Sequence, residues 1–87
     1  MAGTIADVKA QLDEAFRRTE DVTGQLEGAL NLIEEAQAMV VAATDGSEDA
    51  AVEQLTAALV ETRDTLQNAL AALGAAVQEV KVYRDRL

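Results

Sequence analysis

Apolar residues recur along this chain at intervals that alternate between three and four. The first half runs Ile5, Val8, Leu12, Ala15, Thr19, Val22, Leu26, Ala29, Ile33, Ala36, Val40 and Ala43. The second runs Val52, Leu55, Leu59, Thr62, Leu66, Ala69, Leu73, Ala76, Val80, Tyr83 and Leu87. This rhythm lays one apolar stripe along an α-helix and favours left-handed supercoiling. It predicts an all-α fold with one domain over residues 1–87: helix one over about 5–44, a turn at about 45–47 and helix two over about 48–86. The linker is short, so the helices must be antiparallel neighbours, an antiparallel two-helix coiled-coil hairpin.

The ends of the predicted helices carry matching signals. Gly46 suits the left-handed position just past a helix end. Ser47 is a good N-cap for helix two, and Glu48 and Asp49 suit the positive end of its dipole. Thr4 is a candidate N-cap for helix one, with Asp7 completing an imperfect capping box. Lys81, Arg84 and Arg86 place cations at the C-terminal end of helix two. Folding at Gly46 pairs positions whose numbers sum to about 92, which sets Leu12 against Val80 and Leu26 against Leu66.

With the stripe labelled a and d, the e positions form a second row. Phe16, Thr23 and Leu30 on helix one come beside Leu70 and Val77 on helix two. A two-helix unit buries little apolar surface by itself. The e row therefore predicts a dimer interface of Phe16, Thr23, Leu30, Leu70 and Val77, through which two hairpins form a four-helix bundle. The alternative is a monomer with an apolar side. Thr19 and Thr62 interrupt the stripe. They either set register or bond their own helix carbonyls. Gly24 and Gly28 fall on the outer face as a soft spot.

Charge adds polarity to the rod. The chain carries 16 acids and 7 bases, for a net charge of −9. No base lies between Arg18 and Arg63, a segment that holds ten acids. Glu34, Glu35, Asp45, Glu48, Asp49 and Glu53 cluster toward the turn. They form either a docking surface for a basic protein partner or a solvated face that resists further association. Near the termini, Asp13 with Arg17 and Glu14 with Arg18 are spaced as i,i+4 pairs. Lys81, Arg84 and Arg86 fall beside Asp7, Asp13 and Glu14.

Candidate chemistry is sparse. The chain has no histidine and no cysteine, which removes the commonest general base, the commonest metal ligand and thiolate sites. No acid sits on the a/d stripe, where a helical-bundle di-metal site would need one. Neither a phosphate-binding loop nor a calcium loop is present. These features predict a protein that is not an enzyme, with no catalytic residue, metal or cofactor. The negative charge and the two aromatics argue against nucleic acid. The most apolar stretch is too short for a membrane span, and the N-terminus lacks a signal-peptide run. A cytoplasmic location is expected, with signal-independent secretion open.

The abundance of alanine and glutamate in two heptad helices resembles the small Ala/Glu-rich helical-hairpin proteins of high-GC actinobacteria. A sharper comparison is with the secreted Trp-x-Gly hairpins of ESX-type systems. The turn Thr44-Asp45-Gly46 is similar to theirs in its glycine and has threonine in place of tryptophan. Their export signal places an acid four residues after a tyrosine, whereas Leu87 stands four after Tyr83. The resemblance implies a similar hairpin dimer. The expected function is a non-enzymatic protein–protein interaction or structural module. The alternatives are an ESX-like secreted effector or companion protein, and a non-catalytic enzyme subunit.

Overall fold

The computed structural model describes residues 3–87. It is all-helical, with α1 at Ile5–Ala43 and α2 at Ala50–Arg86 and no strand among the described residues. A helix of 39 residues is about 58 Å long. The molecule measures 63 × 19 × 16 Å, so the two helices lie alongside one another as an extended helical hairpin.

Local chemistry explains where each helix begins and ends. Thr4 is extended, and its Oγ1 accepts the backbone N–H of Asp7 at 3.0 Å, which satisfies one of the first-turn donors. α1 ends at Thr44, whose N–H donates to the carbonyl of Val40 at 3.0 Å. Gly46 then turns the chain with φ +77°, a left-handed value in which a Cβ would be strained. The N-cap of α2 is Asp49, not Ser47. Asp49 Oδ1 accepts from the Ala51 N–H at 2.8 Å, while Ser47 Oγ accepts from the Asp49 N–H at 3.3 Å. Helix axes stand about 8–10 Å apart. After the turn at Gly46 the chain must cross that gap, so α2 starts two residues later than the serine suggests.

The half-buried face also differs from the expected one. All ten e positions are half-buried, from Lys9 and Phe16 on α1 to Val77 and Arg84 on α2. Most a positions are half-buried with them, the exceptions being Ile5 and Val80. Seven of the eleven d positions are exposed instead: Ala15, Val22, Ala43, Leu55, Thr62, Ala76 and Tyr83. The helices therefore meet along a and e, and each is rotated by about 50° from the a/d arrangement, given 100° per residue. Side-chain size accounts for this. The d row holds six alanines, whereas the e row offers Phe16, Leu30, Leu70 and Val77. Each buried methylene contributes about 0.8 kcal/mol, so the rotation exchanges alanine methyls for larger groups. The a and e rows keep the alternation of three and four, so both patterns fit a helix equally well.

No described residue is fully buried. The two stripe threonines fold their hydroxyls back: Thr19 Oγ1 donates to the Ala15 carbonyl at 2.9 Å, and Thr62 Oγ1 to that of Ala58 at 2.8 Å. They meet their hydrogen-bonding needs without a cross-helix partner.

Candidate interaction surfaces

The rotation gives the hairpin two unlike sides. Helical periodicity puts the d row of both helices on one side of the a/e contact and the b row on the other. The d side is apolar. A crevice of about 210 Å³ is lined there by Leu12, Ala15, Phe16, Thr19, Leu73, Ala76, Val77 and Val80. Further along the same side stand Val22, Leu55 and Tyr83, exposed by 44%, 49% and 47%. Leu32 and Met39, at g positions, extend it toward the turn and are exposed by 66% and 71%.

The b side is polar. Glu20, Gly24 and Glu27 of α1 share a groove with Gly74, Gln78 and Lys81 of α2. Asp13 and Arg84 close this side near the open end. Arg84 Nε and Nη2 donate to Asp13 Oδ1 and Oδ2 at 2.7 and 2.9 Å, a two-point clasp between the start of α1 and the end of α2. Hydrogen bonding from Arg84 holds the Asp13 carboxyl below the ordinary aspartate range, against a smaller opposing effect of desolvation. The same bond raises Arg84. Beside the clasp, Lys81 Nζ lies 5.7 Å from the centroid of the Phe16 ring, within cation–π range.

Of the expected i,i+4 pairs, Glu14 with Arg18 forms and Asp13 with Arg17 does not. Asp13 bonds across the helices to Arg84 rather than along α1 to Arg17. Arg17 turns to Glu14, which also accepts from Arg18 Nε at 3.2 Å. Hydrogen bonds from Arg17 and Arg18 lower the Glu14 carboxyl. The row Asp13, Glu20 and Glu27 borders the groove between the helices.

Phe16, Thr23, Leu30, Leu70 and Val77, expected at a dimer interface, are all half-buried within the single chain. Phe16, Thr23 and Val77 line the groove between the two helices. These five contribute to the contact between α1 and α2, and each keeps part of its surface accessible. Large apolar residues outside that set are exposed: Ile5, Val22, Leu32, Met39, Val41, Leu55, Val80, Val82 and Tyr83. Glu34, Glu35, Asp45, Glu48, Asp49 and Glu53 are all exposed at or near the turn. Asp49 is occupied as the cap of α2. Among the described residues, no ion pair involves any of the ten acids between Arg18 and Arg63.

Among the described residues, no group of three or more acids could hold a metal ion. No described helix is long and apolar enough to cross a membrane. Comparison with protein-family models, with curated proteins and with solved structures finds no match for the chain.

Proposed function

We propose that this chain is a non-enzymatic protein–protein interaction module, an antiparallel coiled-coil hairpin that joins a second copy in a four-helix bundle. The observation that carries this reading is the imbalance of the hairpin. It leaves no described residue fully buried, yet it presents Val22, Leu32, Met39, Leu55 and Tyr83 to solvent. Small domains that cannot build a core alone commonly gain it by association. Light scattering and analytical ultracentrifugation test the reading directly. A dimer at micromolar concentration is expected, and a monomer there refutes it.

The acidic turn end supports a second role in the same module, as a docking point for a basic protein. Glu34, Glu35, Glu48 and Glu53 stand exposed, with no cation paired to them among the described residues. Replacing these four by glutamine should abolish salt-sensitive capture of a specific basic partner and leave the dimer intact. Unchanged capture would remove this role.

A further inference from the structure

We infer that the second copy seats on the d side of the hairpin and lies reversed, so that the turn end of each chain covers the open end of the other. This rests on the reading that the chain self-associates, and it names the surface and the orientation.

The first argument is extent. The two longest dimensions of the molecule define a face of roughly 1,200 Å² in projection, above the roughly 800 Å² per partner that a stable interface of ordinary size buries. The second is composition. Ala15, Ala29, Ala36, Ala43, Ala69 and Ala76 make the d row shallow, so the helices of a second copy can approach closely. Between these alanines, Val22, Leu55 and Tyr83 supply larger apolar groups that are exposed in the single chain. The b side is unsuited, since Glu20, Glu27 and Lys81 border it.

Charge decides the orientation. Ten acids and no base lie between Arg18 and Arg63, while the remainder of the chain holds six acids and seven bases. Two hairpins placed turn on turn would bring the two ten-acid segments together. Reversed hairpins bring each acidic segment against the end that carries Arg17, Arg18 and Arg86. Like-charge juxtaposition disfavours the first arrangement, and complementarity favours the second.

A two-fold axis in the face, crossing the rods at mid-length, produces the reversed arrangement. It lays α1 on α1 of the copy and α2 on α2. The midpoint of α2 is near residue 68, so Tyr83 comes within a turn of Leu55 in the second copy. Turn-on-turn association would lay α1 on α2 instead and bring Met39 near Leu55.

The chain has no cysteine, so single-cysteine variants report these neighbours without background. Tyr83→Cys mixed with Leu55→Cys and oxidised should give the mixed disulfide in preference to either symmetric one. Met39→Cys mixed with Leu55→Cys should give little. Efficient 39–55 crosslinking overturns the orientation. A wild type that is dimeric while neither pair crosslinks overturns the surface. A monomeric wild type overturns self-association itself. Separately, Leu55→Glu should weaken the dimer at least tenfold while helicity by circular dichroism is retained. Wild-type affinity in that variant would also overturn the surface.

Discussion

Rotation of the helices onto their a and e rows makes a quantitative prediction at Leu70. Truncating a fully buried leucine to alanine costs about 2–5 kcal/mol. Leu70 is half-buried, so part of its side chain is already in water and solvent refills some of the space. The expected loss for Leu70→Ala is therefore about 1–1.5 kcal/mol per chain. Val22, a d residue exposed by 44%, is the control. Val22→Ala removes less apolar surface from the hairpin itself and should cost under about 0.5 kcal/mol there, the usual range for surface positions. Urea denaturation followed by circular dichroism measures both, at a concentration where light scattering reads a folded monomer. Raising the concentration into the dimer range should leave the Leu70→Ala deficit unchanged and enlarge the Val22→Ala deficit. If Val22→Ala is the more damaging variant in the monomer, the helices meet along a and d and the rotation is refuted.

Gly46→Ala should lower stability by roughly 1 kcal/mol, because the turn holds φ at +77°; an unchanged urea midpoint would contradict that strain. Asp49→Ala should cost about 1 kcal/mol as the loss of a helix cap, and Ser47→Ala clearly less; the reverse order in thermal melts would restore Ser47 as the cap. Asp13 has a lowered carboxyl pKa in the folded chain, against an ordinary value of 3.8. Its contribution to stability is therefore complete above the ordinary value and is lost as pH falls through the folded one. Asp13→Asn should flatten the decline in melting temperature between neutral pH and about pH 2, and an identical slope in both proteins would refute the clasp. Nothing lies within 4 Å of a Cβ built at Gly24 or Gly28, so alanine at either should stabilise the chain by up to about 1 kcal/mol; a loss of stability in calorimetry would show that the glycines serve a close contact.

The sequence discloses the two helices because their signals are local and agree. The heptads run unbroken, Thr4 caps α1, and Gly46 takes the left-handed turn. Register was also legible, since Leu12 and Val80 line one crevice as the turn position implies. The rotation was hidden because a binary pattern counts alanine and leucine alike. Two adjacent rows share the same spacing, but the e row mixes Phe16, Leu30, Leu70 and Val77 with Lys9, Gln37, Arg63 and Arg84, so a binary pattern favours the uncharged d row although most of its side chains are small. The sequence places Arg84 among the bases beside Asp13 but does not say which of them pairs with it. Backbone register sets Asp13 opposite residue 79, and the pair forms only because the arginine side chain spans the extra turn.

The two rows divide the work of the hairpin in a way that favours association. Holding Phe16, Leu30, Leu70 and Val77 in the a/e contact keeps the larger apolar groups of the e row where their own chain already fixes them. The face left outside is largely alanine, which loses no side-chain entropy when a neighbour covers it. A second hairpin laid on that face gains close backbone approach and orders a limited set of larger side chains, principally Val22, Leu32, Met39, Leu55 and Tyr83. An a/d hairpin would have left Phe16 and the e-row leucines for the second contact, with more area and a larger ordering penalty. The rotated arrangement thus makes association sensitive to small changes on the alanine row. Enlarging Ala76, which stands exposed at mid-face, to leucine should weaken the dimer by holding the helices apart, although it adds apolar surface. Sedimentation equilibrium on Ala76→Leu decides the point: a tighter dimer would mean that apolar area governs the contact, and a weaker one that close approach does.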